Sequence, residues 1–396
     1  MKRIAILFAG DIHNRKGLIN AVLERAKRMQ KDPTIEVEIF CIMEREGWLV
    51  RMLRKHRPIC PQQTEIVEGL RIQLLWKPFT LLDYLLLHKV QCKPWSASKW
   101  YHRMARRFHS FDLILAHSWE AGLIAMDVKQ RVGIPYIVTW HGSDIHTFPV
   151  SNRFGAKVVR QLLENADGNF FVSRALLEDS KRLSTKGSER IVSYNGVSER
   201  FVRYSPEQRL QLRLQYGIPE GAKVIAFVGG LVPIKQVGLL PDIYRMIQSK
   251  SHDPLCFWVI GDGKLKSELV RKLADIPEEL SCKLWGDQPT EKMPLLMNCI
   301  DLLVLPSLNE GLPLVVVEAL KSGANVVASE VGGIKEVIGK SCVVPLGDHF
   351  VERFSDCGFK VLSGELCSPP LPPIFDWDRI VEKELDYVSQ ILSHIK

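Results

Sequence analysis

Glu310 and Glu318 stand eight residues apart, and their surroundings give the pair chemical meaning. An apolar run, Leu302–Leu305, reads as a strand. It leads through Pro306-Ser307-Leu308-Asn309-Glu310-Gly311-Leu312 to Pro313, which sits where a first helical residue would. The strand's carboxyl end and the helix start then meet at one point. Free backbone amides and the helix dipole favour phosphate there, and open α/β sheets bind their ligands at such points. Glu310 lies in the loop and Glu318 about two turns into the helix, and carboxylates accept the hydroxyl hydrogens of a sugar. Two glutamates at this spacing arise often by chance, so the strand, loop and proline carry the argument.

Three further stretches have the same construction. Phe227-Val228-Gly229-Gly230-Leu231-Val232-Pro233-Ile234-Lys235 runs from a strand through a glycine turn to a lysine opening the next helix. Tyr136-Ile137-Val138-Thr139-Trp140-His141-Gly142-Ser143-Asp144 ends a strand on a histidine. Near the start, Phe8-Ala9-Gly10 passes through Arg15 and Lys16 to Gly17 and a helix. Alone, Lys235 reads equally as a solvated surface lysine and His141 as a structural histidine.

Together these stretches resemble the retaining family 4 glycosyltransferases of the GT-B fold. The E-x7-E element has the spelling E-G-x-P-x-x-x-x-E-A-L from Glu310 to Leu320, and its sequel Gly323–Ile338 matches too. The resemblance implies that Glu310 binds donor-sugar hydroxyls, that Glu318 holds the ribose, and that the amides of Leu314 and Val315 face the pyrophosphate. His141, in an H-G-S-D element, positions the donor sugar and its phosphate. Catalysis then rests on Glu310, Lys235 and His141. Gly230, Gly261, Leu314, Val315, Glu318, Gly17 and Lys16 complete the donor-binding set. The family usually reads G-R-L-x-x-x-K around Lys235, and this chain has Gly230 in place of the arginine. Lys16 or Arg15 is expected to supply the missing charge, in which case an arginine at 230 would crowd an occupied site. Weaker echoes are Asn165-Ala166-Asp167, Asn195-Gly196-Val197 and Ile260-Gly261-Asp262-Gly263, whereas residues 45–110 match nothing in the family.

Such residues need strands to carry them. Short apolar runs alternate with helix-length amphipathic stretches, the pattern of doubly wound parallel sheets. Strands are predicted at Ile4–Phe8, Val37–Cys41, Leu113–Ala116, Tyr136–Thr139, Phe170–Val172 and Ile191–Tyr194. A second set falls at Val224–Val228, Phe257–Ile260, Leu302–Leu305, Val326–Ala328 and Cys342–Val344. The expected architecture is α/β, with two facing Rossmann-like domains of parallel strands and a cleft between them. Residues 1–202 form the acceptor-side domain, rejoined by a C-terminal helix over 376–396, and residues 203–375 bind the nucleotide sugar.

Composition agrees with a folded protein: 46% hydrophobic and 25% charged residues in 396. No apolar run approaches a bilayer span. Met1-Lys2-Arg3 and Ile4–Phe8 read as a first strand rather than a signal peptide. Nine cysteines without C-x-x-C pairs predict buried thiols in a reducing cytoplasm rather than zinc or disulfides. No aspartate pair suits a metal, so neither metal nor cofactor is implied; the donor, UDP- or GDP-linked, is a substrate. Residues 1–200 carry +12 and residues 201–396 carry −4, so the first half meets something anionic. Between Trp76 and His109 seven Lys and Arg mingle with aromatic residues and one acid, Asp83. This mixture suits a peripheral contact with the anionic inner membrane face or a lipid-phosphate acceptor, and a solvated helix over an ordinary core is the plain alternative. It also suits nucleic acid, but no nucleic-acid motif accompanies it and no nucleic-acid partner is expected. The acceptor expected is a glycan or lipid-linked molecule. The function expected is hexosyl transfer with retention of configuration, in polysaccharide or glycolipid biosynthesis. Two other readings share the architecture: a non-catalytic partner subunit and a non-hydrolysing nucleotide-sugar epimerase.

Overall fold

A computed structural model of the chain describes every residue except 14–16, 55–61, 93, 275–280 and 395–396. The chain divides into two compact units. The first comprises Met1–Asn195 with Asp376–Lys396, and the second comprises Gly196–Phe375.

The first unit is built on an eight-stranded sheet. Its strands are β1 (Lys2–Ala9), β2 (Ile35–Glu46), β3 (Thr64–Val67), β4 (Leu70–Phe79), β5 (Leu113–His117), β6 (Tyr136–Trp140), β7 (Gly168–Phe171) and β8 (Arg190–Val192). They lie in the order β3-β4-β2-β1-β5-β6-β7-β8, all parallel except the β3–β4 hairpin. The inner strands β5, β6 and β7 are buried along their whole length, as strands covered by helices on both faces must be. Progress along the chain reverses direction between β1 and β5, which makes that junction the sheet's switch point.

The hairpin went unseen in the sequence. Glu68 and Gly69 both have positive φ, as a two-residue hairpin turn requires, but Glu-Gly is an uncommon spelling of it. The basic, aromatic stretch 76–109 divides in two. Phe79, Trp100, Tyr101 and Phe108 are core residues, and Lys77 is buried in ion pairs with Glu120 and, at 3.3 Å, Glu44. These side chains do not belong to a solvated basic surface.

The last helix, Trp377–His394, packs on the helix Gly17–Met29. Arg25, fully buried, anchors the contact. Its Nε donates to Glu384 at 2.9 Å, its other nitrogens reach Asn195 and the Tyr194 carbonyl, and its guanidinium lies 4.7 Å from the Trp377 ring centre. A buried guanidinium is tolerated only when its donors are met in this way.

Among the described residues the second unit has six strands, all parallel: β9 (Lys223–Val228), β10 (Leu255–Ile260), β11 (Ser281–Gly286), β12 (Leu302–Leu305), β13 (Asn325–Ser329) and β14 (Val343–Val344). Their order, β11-β10-β9-β12-β13-β14, places the switch point between β9 and β12. The edge strand β11 escaped the sequence reading because Ser281 and Lys283 interrupt its apolar run.

Candidate active site

At the second unit's switch point two loops are held in register by their backbones. The loop after β9 tightens into two 3-10 turns, Pro233–Lys235 and Val237–Leu239, and its Ile234 carbonyl accepts the Leu308 N–H of the loop after β12 at 2.8 Å. That bond brings together two side chains 75 residues apart. Lys235 Nζ lies 2.5 Å from Glu310 Oε1, with only 20% and 10% of the two side chains exposed. The pair is charge-assisted and largely shielded from water, so it is stronger than a surface ion pair.

Pro313 sits one position earlier than the sequence suggested: it is the N-cap of the helix Leu314–Lys321, with φ −71° and ψ 120°. A proline at the cap leaves no capping hydroxyl, and Leu314 and Val315 form the helix's first turn, where amides lack a carbonyl partner within the helix. Both residues are half-buried, as is Glu318 one turn on.

Gly332, with φ +53°, closes the far side of the loop. A Cβ there would stand 1.9 Å from the Glu310 carbonyl oxygen, and the neighbouring Gly333 N–H donates to the Gly311 carbonyl at 2.8 Å. Only glycine allows the β13 loop to press so closely on Glu310. Gly261 does the same between β9 and β10: its Cβ would meet the Gly229 carbonyl at 2.1 Å. Gly230, by contrast, is exposed, and a Cβ on it meets only the Asp262 carbonyl, 4.0 Å away. A Cβ at Gly230 therefore has room within the second unit. Lys16 and Arg15 lie outside the described residues, whereas Gly17 begins the helix Gly17–Met29 and is exposed.

In the first unit His141 follows β6 and is joined by a residue the sequence reading missed. His117 is the last residue of β5, beside the switch point, and its Nδ1 lies 3.1 Å from His141 Nε2. Burial holds the His141 imidazole down to about 3, and the Arg25 charge adds to this. His117 is pushed well below the usual range by burial, then by His141 and Arg25. Both rings are therefore neutral at pH 7, and one ring N–H donates to the other's lone pair. Among the described residues His141 Nδ1 is buried without a partner. Asp144 takes the backbone N–H of His141 at 3.4 Å, and burial raises its carboxyl to about 6. His117 carried a usable signal, being a polar residue at the carboxyl end of a buried parallel strand.

Among the described residues no cluster of three or more His, Cys, Asp or Glu could hold a metal ion, and no helix is long and apolar enough to cross a membrane. The arrangement in the second unit can bind an anion through Lys235 and the helix start, and hydroxyls through Glu310.

Known proteins resemble this chain along most of its length. The family described as "Glycosyl transferase 4-like domain" matches residues 17–196, and the one described as "Glycosyl transferases group 1" matches residues 222–362. TuaC of Bacillus subtilis, a glycosyltransferase assigned by name to teichuronic acid biosynthesis, is 29% identical over 77% of this chain and 75% of its own. A D-inositol 3-phosphate glycosyltransferase of Nocardia farcinica is 26% identical over 77% of this chain and 67% of its own. Among solved structures, HepE of Anabaena in complex with UDP and glucose is similar with a TM-score of 0.70, covering 98% of this chain and 99% of that one at 18% identity. At that identity the likeness shows the fold, which is GT-B. With the two family matches together taking in most of its length, the chain belongs to the group 1, 4-like glycosyltransferases.

Proposed function

We propose that this glycosyltransferase moves a hexosyl group from a UDP- or GDP-sugar to a hydroxyl of a glycan or lipid-linked acceptor, with retention of configuration. The observation that carries the reading is the Lys235–Glu310 pair at the second unit's switch point, beside the first turn of the helix Leu314–Lys321. A nucleoside diphosphate sugar presents what this site can hold. Its pyrophosphate meets Lys235 and the amides of Leu314 and Val315, and its sugar hydroxyls meet Glu310. Glu318 takes the ribose, and Gly230 and Gly261 line the donor from the β9 and β10 loops, with Gly17 and Lys16 assigned to it from the first unit. Residues 203–375 are then the donor-binding part of the chain. The acceptor belongs to residues 1–202 with 376–396, where neutral His141 serves as a hydrogen-bonding group for the sugar and its phosphate rather than as a base. HepE, whose structures contain UDP and glucose or UDP-glucose, supports the choice of donor class.

In the reaction the bond between the anomeric carbon and the phosphate oxygen breaks, and a bond from that carbon to the acceptor oxygen forms on the same face. The acceptor's proton passes to the departing phosphate oxygen. Negative charge grows on that phosphate, and Lys235 with the helix amides stabilises it more in the transition state than in the ground state. No resident cofactor takes part in these steps, and the reaction is placed at the cytoplasmic face of a membrane.

Thermal-shift screening of UDP-, GDP- and ADP-sugars tests the donor assignment. A UDP- or GDP-sugar should stabilise the protein, and Glu310→Gln should weaken the response to the sugar more than to the bare nucleotide. If all of the donors leave the melting temperature unchanged, or Glu310→Gln responds like the parent to each, the assignment fails.

A further inference from the structure

One corner of the first unit exposes apolar side chains that a water-facing surface does not need. The helix Trp48–Arg54 leaves β2 with Trp48 67%, Met52 62% and Leu53 63% exposed. Beside it the helix Leu81–Leu85 and the π-helical turn Leu86–Val90 expose Leu85 and Val90, and the helix Trp95–Ala105 exposes Trp95 at 63%. These elements spring from one place. The Gly47 N–H donates to the Phe79 carbonyl at 2.9 Å, which sets the first helix beside the end of β4, where the second begins. Asp83 of the second helix accepts the Ser96 N–H at 3.0 Å and so fixes the third.

The charge around this corner is mostly positive, although Glu44 and Glu46 close the end of β2 beside it. Lys89, Lys99 and Arg103 are exposed and Arg51 is half-buried. The one acid between residues 81 and 106, Asp83, is buried in a capping box with Thr80. Lys99 Nζ lies 5.4 Å from the Trp95 ring centre, a cation held against an indole at the surface. Protein interfaces are depleted in lysine, whereas indoles and aliphatic side chains rimmed by lysine and arginine fit the headgroup region of a bilayer.

We infer that this corner, formed by the exposed side chains of Trp48, Met52, Leu53, Val90, Trp95 and Lys99, is a docking surface for an anionic lipid bilayer. The surface is not the whole basic, aromatic stretch of the sequence. It gains Trp48, Met52 and Leu53 from outside that stretch and loses the buried Lys77, Trp100 and Tyr101. The inference deepens the function proposed above by naming the partner of the first unit, and its test reads binding rather than transfer.

The test is flotation of the full chain with vesicles of phosphatidylcholine alone or mixed with phosphatidylglycerol. Binding should require phosphatidylglycerol and weaken as salt is raised from 0.05 to 0.5 M, roughly from weak to strong screening. Trp48→Ser with Trp95→Ser should lower partitioning about tenfold, and Lys99→Glu with Arg103→Glu should lower it on the anionic vesicles. Ile66→Ser is the control. Ile66 is 75% exposed on β3, but it pairs with Arg71, eight residues and roughly 27 Å along β4 from Phe79. Partitioning of that variant should equal the parent's. The melting temperature and donor-induced shift of each variant, unchanged, show that fold and donor site are intact. Failure to bind phosphatidylglycerol vesicles, equal binding by the tryptophan variant, or a self-association that the tryptophan variant abolishes without any vesicle binding would each overturn the inference. A parent that answers donor yet ignores vesicles overturns this inference alone.

Discussion

Lys235 Nζ and Glu310 Oε1, 2.5 Å apart, face each other across the second unit's switch point and are held there by the Leu308–Ile234 backbone bond. Each group therefore sets the charge that the other presents to an arriving phosphate. Removing Lys235 takes away a phosphate cation, and removing Glu310 leaves that cation unneutralised with the sugar hydroxyls unheld. Lys235→Ala and Glu310→Gln should each lower kcat by about 10²–10³-fold, the scale of losing one transition-state donor. Because the two act as a unit, the double variant should be no slower than the worse single variant by more than about threefold. Fully multiplicative losses in steady-state kinetics would mean that the pair is not coupled.

Gly230 makes a second prediction possible because a Cβ there has room within the second unit. Gly230→Arg should add a cation next to the β10 loop and lower the donor Kd by about three- to tenfold, with a steeper salt dependence than the parent. Isothermal titration at two salt concentrations measures both. A Kd that rises instead would show that another group already fills the space.

Two glycines with positive φ separate strain from obstruction. Gly332 (φ +53°) abuts the Glu310 carbonyl, whereas Gly133 (φ +82°, ψ 7°), the left-handed C-cap of the helix Trp119–Val132, has nothing within 4 Å of a built Cβ. Gly133→Ala should cost only the left-handed backbone penalty, about 1–2 kcal/mol, and keep its turnover. Gly332→Ala should destabilise by more than that and lose most of its turnover, since Glu310 must move. Chemical denaturation and kinetics on the two variants decide the matter. Equal behaviour would remove Gly332 from the account of the site.

The histidine pair predicts a pH dependence of stability. His141 titrates near 6.5 when unfolded and near 3 when folded, and His117 is lowered in the same sense. Below about pH 6.5 the unfolded chain takes up protons that the fold refuses, so the pair's contribution falls as pH drops toward 3. Asp144 runs the other way: its carboxyl rises from 3.8 to about 6, so what it contributes is complete below 3.8 and is lost as pH rises through 6. His141→Asn and His117→Asn should therefore flatten the decline in Tm between pH 6.5 and 4.5, and Asp144→Asn should remove a loss between pH 4 and 6. Scanning calorimetry across that range checks both signs, and an unchanged acid slope in both histidine variants would refute the assignment.

How much of this was legible in the sequence depends on how local each signal is. The strand before Glu310, the proline at its helix and the lysine after β9 are marked by neighbours within a few residues, so they could be read directly. His117 could not be paired with His141 in this way, because what joins them is the adjacency of β5 and β6 and burial of both rings. Gly332 gave only the promise of a turn. That it makes room for Glu310 depends on two loops meeting from strands that are neighbours in space. The stretch 76–109 misled through composition: Lys77 looks like any surface cation until Glu120 and Glu44 are found beside it. Short amphipathic helices say little about which of their aromatic residues face inward, since the answer lies on the sheet they cover.

The return of the helix Trp377–His394 to Arg25 has a consequence for how the protein is made. The first unit is not finished when residue 195 leaves the ribosome. Its closing helix arrives after about 180 intervening residues, which at roughly 5–20 residues per second is a wait of about 10–40 s. During that interval the buried guanidinium of Arg25 has no Glu384, and the part of the helix Gly17–Met29 that the last helix covers stays open. The second unit is continuous in the chain and needs no later segment to close it. Chains truncated after residue 375 should therefore expose the first half to chaperones and proteases while the second half resists them.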